Sequence, residues 1–488
     1  MSTVQRIAKN TTVLMIAQVA SYLLSFFYMM YTARYLGVAS FGILAFASAF
    51  TGIFTVLGDI GLQPLTTREV ARNKSLAPKY LANVTLMKII LVIITFGLIA
   101  LTINLMGYPQ ETIKVVYLLG LNVVLAAFTQ MFYAIFQAFE RMEFQAMGQI
   151  LSAALILGGV IFAIKHSFNV IGFAYLYVIG TAIALGYSAA VMKLKFFNPA
   201  SASVAKFMEF DWSFWKPTIK EALPFGLGAI FVIVYSSIDA VMLSSMKGDA
   251  AVGWYRAAYG IMVALGFLPS AFSSAIFPIM SGFYVSSQDA LRLSYERFLK
   301  YMLVLVVPIG VATTLLANRI ILLIFGDGYI PSIVALQILV WVFVLASISS
   351  PFVQVLQATN NQRKGMKVAA ICMAANIALN LLLIPRYSYA GAGVAAVATH
   401  SISLAICSWY CKKLGYSVSR KLIGNAIRVA VATSAMAASV IVFHQLILPW
   451  LILASAAVYF ALLFAVRGID KEDLDIIKMV LGLKKKER

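Results

Sequence analysis

Seven ionisable side chains stand inside long apolar runs or at their ends: Arg34, Asp59, Arg68, Lys88, Arg141, Asp239 and Arg256. Charge in such a setting is costly, so each needs a partner or a ligand. Arginine grips phosphate through paired N–H bonds, which ranks Arg256 and Arg34 above Lys88 as anion ligands. Asp239 lies about seven residues before the end of its run, and Arg256 about five residues into the next. At ~1.5 Å per residue these depths are roughly 10 and 8 Å from one face. The two are level, on neighbouring helices, and placed to pair. Asp239 then reads as the resting partner of an anion-binding arginine, as a cation site, or as half of a permanent structural pair. Lys88 is about eight residues inside its run, from where its ammonium can snorkel to the interface. Arg34 closes the first run beside Gly37, which suits a cavity mouth or an interfacial anchor. Asp59 and Arg68 flank the end of the second run, which suits loop anchoring or gating. Arg141, between Glu140 and Glu143, reads as a solvated mixed-charge turn.

The elements that carry these charges are about fourteen apolar runs, at 11–32, 41–61, 80–106, 113–137, 146–164, 170–192, 221–245, 252–280, 299–317, 333–357, 367–384, 391–411, 425–446 and 449–466. Most approach the ~20 residues that cross a bilayer. In lipid every backbone polar group must be satisfied internally, and continuous runs of this length do so as helices. The run 252–280 is longer than needed and carries Pro269 and Pro278, so a tilt or kink is expected there. A composition of 62% hydrophobic and 11% charged residues, with a mean hydropathy of +0.91, excludes an ordinary soluble protein. The first run lacks a small-residue cleavage site and leads into further spans, so it is expected to be a retained helix.

Lysine and arginine set the orientation. Alternate loops collect thirty of them on one side against seven on the other, with Lys88 inside a span. The positive-inside rule then places both termini in the cytoplasm. The formal charge of +20 becomes a topology signal with attraction to anionic lipid, not a nucleic-acid footprint. The longest inner connection, 193–220, holds Asp211, Trp212 and Trp215 among basic residues and suits an amphipathic segment at the interface.

The chain repeats itself across that connection. Gly37-x4-Gly42 after the first run matches Gly248-x4-Gly253 after the seventh. Gln137-Ala138 at the end of the fourth matches Gln357-Ala358 at the end of the tenth, and Gly172 opening the sixth matches Gly391 opening the twelfth. Six spans per repeat is an even number, so both halves enter from the same side and are related by an axis along the membrane normal. The expected architecture is therefore all-α, with two pseudo-symmetric six-helix bundles around a central cavity. Its parts are a first bundle (1–192), a linker (193–220), a second bundle (221–411), two extra helices (412–466) and a basic tail (467–488). Alternating access by two rocking halves follows from such a layout.

Other chemistries find little support. Cys372, Cys407 and Cys411 all lie in apolar runs, and His166, His400 and His444 lack spaced partners, so packing is expected rather than a metal. No Gly-x4-Gly-Lys-Ser/Thr loop exists, so this chain is not expected to hydrolyse ATP. No cofactor is implied.

Several motifs resemble the polysaccharide and oligosaccharide-lipid flippases of the multidrug/oligosaccharidyl-lipid/polysaccharide exporter superfamily. They are Ala33-Arg34-Tyr35-Leu36-Gly37 with Phe41-Gly42, Asp59-Ile60-Gly61-Leu62 leading to Arg68, and Leu223-Pro224-Phe225 followed by Asp239. Gly253-Trp254-Tyr255 with Ala257 and Tyr259, Phe325-Gly326, and Asn380 with Ile384-Pro385, Gly391 and Gly393 complete the likeness. The resemblance implies movement of a polyprenyl-linked glycan from the cytoplasmic to the outer leaflet of a prokaryotic plasma membrane. Glycan-assembly enzymes would be its partners, and a cationic cavity would suit a pyrophosphate headgroup. On that reading Arg256, Arg34 and Lys88 are headgroup candidates, Asp239 and Asp59 couple or pair, and Arg68 and Arg141 are gate or loop residues. The alternative within the superfamily is cation-coupled drug export, which wants central carboxylates in the first bundle; only Asp59, near a span end, approaches that. A membrane glycosyltransferase or polymerase would want a large outer loop with acids, and the longest here, about Asn318 to Ser332, holds only Asp327.

Overall fold

The computed structural model describes residues 3–196 and 211–468. Within them the chain forms fourteen α-helices and no strands: α1 (Thr3–Phe54), α2 (Leu62–Arg72), α3 (Ala77–Leu105), α4 (Gln110–Ala138), α5 (Met142–Lys165), α6 (Val170–Val191), α7 (Trp212–Lys247), α8 (Asp249–Leu265), α9 (Phe267–Ser286), α10 (Gln288–Phe325), α11 (Ser332–Ala358), α12 (Gln362–Lys413), α13 (Arg420–Val442) and α14 (Leu448–Ala465). Eleven of these segments are long and apolar enough to cross a membrane, or twelve if α8 and α9 form one bent span. The basic tail beyond 468 and the linker residues 197–210 lie outside the described residues.

Two helices of 52 residues each, α1 and α12, break and fold back. Straight, the 52 residues of α1 would extend about 78 Å, well over twice the ~30 Å hydrocarbon core. Gly37 interrupts it at φ 72°, ψ 175°, a conformation open essentially to glycine alone. Tyr22 and Ser48, from either side of that break, wall the same cavity. α12 breaks at Ser388 (φ 52°), and a Cβ on Gly391 would overlap the Leu383 carbonyl. Residues eight apart in a straight helix lie about 12 Å from one another.

Between the expected second and third spans the chain inserts α2, an additional short helix, after a turn at Ile60 and Gly61. The expected kink in 252–280 falls at Gly266, where α8 and α9 meet at 43°. Pro269 has no N–H to give the Leu265 carbonyl, so the helix opens one turn before it. The segment with Trp212 and Trp215 is not a separate interfacial helix. It forms the first turns of α7, and Trp215 is buried with Leu62, Tyr80 and Phe136.

The internal repeat is written in the backbone. Gly248 (φ 82°, ψ 177°) reproduces Gly37, Asn360 and Glu140 share φ 58°, and Ser388 (φ 52°) answers Ser167 (φ 55°). After α4 the Arg141 amide donates to the Phe136 carbonyl (2.9 Å), and after α11 the Asn361 amide donates to that of Leu356 (2.7 Å). Helices α1–α6 pack mainly on one another, as do α7–α12. The two groups meet along α1 against α7 and α8, while α13 packs on α14 and on α10.

Candidate functional site

A string of cavities runs between and into the two groups of helices. The first, about 390 Å³, is walled by Asp239, Tyr255, Asn376 and His400 together with Tyr22 of α1. It shares Tyr22, Tyr259 and Val263 with a second, about 280 Å³, that holds Arg256. Ser25 and Tyr28 pass from that one into a third of about 310 Å³ among α1, α4, α5 and α6. Ala126 and Gln130 join the third to a fourth, about 390 Å³, lined by Asp59 and Lys88.

Asp239 and Arg256 do not pair. The Asp239 carboxylate is buried and accepts from the Tyr255 hydroxyl (2.8 Å) and from Asn380 Nδ2 (2.6 Å), which also donates to Asn376 Oδ1 (3.0 Å). Successive residues of a helix point about 100° apart, so α8 gives Asp239 its Tyr255 and turns Arg256 away. The guanidinium of Arg256 lies 4.8 Å over the Tyr259 ring. Its Nε is buried with no hydrogen-bond partner among the described residues, and no carboxylate stands within ion-pair distance. Ser25, Tyr28, Ser48 and Tyr177 line the same cavity.

Lys88 does not snorkel. Its side chain is wholly buried, with Nζ 2.5 Å from Asp59 Oδ1 and 3.0 Å from the Ala127 carbonyl. Asp59 therefore answers Lys88 rather than Arg68. Its second oxygen accepts from the Gln63 amide (3.2 Å) at the start of α2. Arg68, on the same helix, reaches Glu69 (2.7 Å) and Glu221 of α7 (2.6 Å), and so ties the two helix groups together. Near it Lys79 holds Asp211 (2.7 Å), and Asn83 accepts from the Asp211 amide (3.1 Å) and Trp215 Nε1 (3.3 Å). At the opposite end, Cβ atoms on Gly42 and Gly253 would overlap the backbone carbonyls of Asp249 and Val38, so α1 and α8 touch backbone to backbone.

Arg34 lines none of the cavities just described. It donates to the carbonyls of Ile324 (2.7 Å) and Leu323, the last turn of α10, where cations are favoured. Arg141 pairs with Glu143 and stacks on Phe144 at 4.7 Å, a local turn contact. Charge alone pointed to these residues, and so passed over the neutral groups. Tyr255 and Asn380 hold Asp239, and Gln18, Gln130 and Gln149 line the third cavity. The available signal was polar spacing: Gln18, Ser21 and Ser25 recur at three and four residues along one face of α1.

Residues 7–283 match the family described as polysaccharide biosynthesis protein. The chain belongs to that family. A second match, to the MatE family, covers residues 224–382. Among the chain's relatives, a probable low-salt glycan biosynthesis flippase of Haloferax volcanii is 21% identical over 83% of each chain. A putative O-antigen transporter of Escherichia coli is 24% identical over 81% of this chain and 94% of that one. The fold is similar to that of the lipid II flippase MurJ in an inward closed conformation, with a TM-score of 0.73, 15% identity, and 96% and 99% of the two chains covered.

Proposed function

We propose that this membrane protein moves a polyprenyl-(pyro)phosphate-linked glycan from the cytoplasmic to the outer leaflet by alternating access. The observation that carries the reading is Arg256: a cation in a cavity between the helix groups, with a buried Nε left unsatisfied and no carboxylate against it among the described residues. A phosphate oxygen supplies what that guanidinium lacks. The flippase and O-antigen-transporter names of the relatives support the same substrate class. Asp239, held by neutral donors, is the candidate coupling group in the second half. Lys88, neutralised by Asp59, takes second place to Arg256 as a headgroup ligand, and Arg34 drops to an anchoring role.

The finer topology belongs to this proposal. Counting α1 and α12 as two crossings each, and α8 with α9 as one, gives fourteen spans. An even count with basic residues concentrated on one side puts both termini, α2 and the start of α7 in the cytoplasm. Two six-span bundles, ending before residue 193 and near residue 411, are supported by the repeated turns. The Arg68–Glu221 contact is then a cytoplasmic gate and the Gly42–Gly253 contact an outer one.

The test is reconstitution into liposomes with a fluorescent polyprenyl-pyrophosphate oligosaccharide, scored by protection from an external quencher or glycosidase. Protein-dependent movement between leaflets is the expected result. The competing reading is cation-coupled drug or metabolite export, to which the MatE match over 224–382 lends the weaker support. Uptake of a soluble organic cation without glycan-lipid movement selects it.

A further inference from the structure

The third cavity carries chemistry of its own. Ten of its fourteen wall residues bear a hydroxyl or a primary amide, and none is a lysine, arginine, aspartate or glutamate. The other three cavities each hold at least one full charge: Asp239, Arg256, and Asp59 with Lys88. Polar groups inside a membrane helix bundle cost free energy unless they are hydrogen-bonded. Several here are not. The side-chain amides of Gln18, which is exposed, and of half-buried Gln149 make no hydrogen bond among the described residues, and Gln130 uses only its carbonyl oxygen, toward Gln63 (3.3 Å). Ser21 Oγ is buried and unpartnered. Three helices thus converge unsatisfied neutral donors and acceptors on one space, with a volume within the ~300–1,000 Å³ usual for small-ligand sites.

An acyl chain placed there would leave the Gln18 and Gln149 amides and the Gln130 Nε2 unpaired. A carboxylate would be desolvated with no cation against it. A sugar hydroxyl, donor and acceptor at once, answers amides and serines alike. We infer that this cavity, among Gln18, Ser21, Ser25, Thr129, Gln130 and Gln149, is a glycan subsite selective for uncharged sugars. The inference rests on the flippase reading above and divides its labour. Arg256, one shared wall away across Ser25 and Tyr28, takes the phosphate, and the neutral cavity takes sugar. An acidic sugar is disfavoured at this subsite.

The test uses the full chain in liposomes with three fluorescent lipids: a polyprenyl pyrophosphate bearing a neutral oligosaccharide, the same lipid bearing a uronic acid in its place, and the bare polyprenyl pyrophosphate. Wild type should move the neutral glycan well and the uronate poorly. Gln18→Ala with Gln149→Ala should slow the neutral glycan roughly tenfold at sub-saturating lipid, the loss of two neutral hydrogen bonds, and leave the bare pyrophosphate unchanged. Should that double variant fail to reach the membrane, Gln149→Asn keeps the amide, shortens its reach, and is read for the same split. Gln149→Arg should admit the uronate, a gain that misfolding cannot produce. Equal slowing of glycan and bare lipid, no slowing of either, or a wild type indifferent to the uronate would each overturn the subsite. A wild type that moves none of the three lipids overturns the flippase reading instead.

Discussion

Lys88 Nζ lies 2.5 Å from Asp59 Oδ1, and the two ends of the pair see different surroundings: the lysine is wholly buried, while the aspartate side chain keeps a quarter of its exposure. The asymmetry orders the mutants. Asp59→Ala leaves an ammonium buried with only the Ala127 carbonyl, which should cost about 3–5 kcal/mol. Lys88→Met leaves a carboxylate that opens on the cavity and still accepts from the Gln63 amide, so its cost is smaller. Asp59→Asn combined with Lys88→Met should recover most of the loss, because a buried pair replaced as a whole is often near neutral. Thermal unfolding of the detergent-solubilised variants gives the order; equal losses from both single variants would contradict it.

Arg256 pairs with no carboxylate among the described residues, so removing it strands none there. Arg256→Ala should abolish glycan-lipid movement while membrane abundance stays at wild-type level, and Arg256→Lys should rescue only in part, having lost the planar fork. Tyr255→Phe, one residue away, should behave in the opposite sense. It removes a hydrogen bond to a buried carboxylate, worth about 1.5–3 kcal/mol, and lowers stability. Immunoblots of membranes beside the liposome assay separate the two patterns.

The contact between α2 and α7 is ionic and partly exposed, with Arg68 at 37% and Glu221 at 59% of full side-chain exposure. Pairs of that kind contribute up to ~1 kcal/mol, so Glu221→Gln should scarcely change unfolding. It should instead favour opening of that end, read as faster labelling of a cysteine placed at Gln63 on the fourth cavity. Exchanging the charges, Arg68→Glu with Glu221→Arg, should restore slow labelling.

Beside that contact, Asp211 has its carboxyl held down at about 2 by the hydrogen bond from Lys79, and then by that from Ser213. A depressed pKa stabilises at pH above the ordinary value of 3.8 and loses that contribution as pH falls toward 2. Trp215 fluorescence, which reports the docked start of α7, should therefore hold steady from neutral pH to 3.8 and change only below it. Asp211→Asn should remove the acid-dependent step. A transition near neutral pH would show that another group governs the docking.

Hydropathy revealed the membrane helices because lipid makes apolar length the dominant constraint, and the repeated Gly-x4-Gly turns located both Gly37 and Gly248. Side-chain partners were far less legible. Depth in the membrane put Asp239 and Arg256 level, yet pairing depends on azimuth, and one residue along α8 exchanges Arg256 for Tyr255. Lys88 read as a snorkelling lysine because its partner, 29 positions away in sequence, is brought to it only by the packing of α3 against the turn before α2. Nothing in the pattern of the Leu62–Arg72 segment, too short and polar to count as a span, announced that it would link Asp59 to Arg68. The neutral cavity was written as a polar stripe in α1, but serine and glutamine are common enough in membrane helices that only the convergence of three helices distinguishes it.

The end of the molecule opposite α2 is closed by backbone, not by charge, and this sets the last prediction. Gly42 on α1 faces the Asp249 carbonyl, and Gly253 on α8 faces that of Val38, so each helix admits the other only where a Cβ is missing. Close approach of this kind is the usual role of small residues in membrane helix pairs. Gly253→Ala adds a methyl group that must displace backbone, and helix backbone gives way by separating the helices. The closed arrangement is then penalised and the alternative open toward Gly37 is favoured. Cysteine accessibility at Ser48, on the wall of the Arg256 cavity, should rise from the membrane face nearer Gly37, and thermal stability should fall. Gly42→Ala should act in the same direction. Glycine 52, where an added Cβ meets nothing within 4 Å, is the control, and Gly52→Ala should leave accessibility unchanged. Were Gly253→Ala and Gly52→Ala to label alike, the glycine contact would not be what holds that end shut.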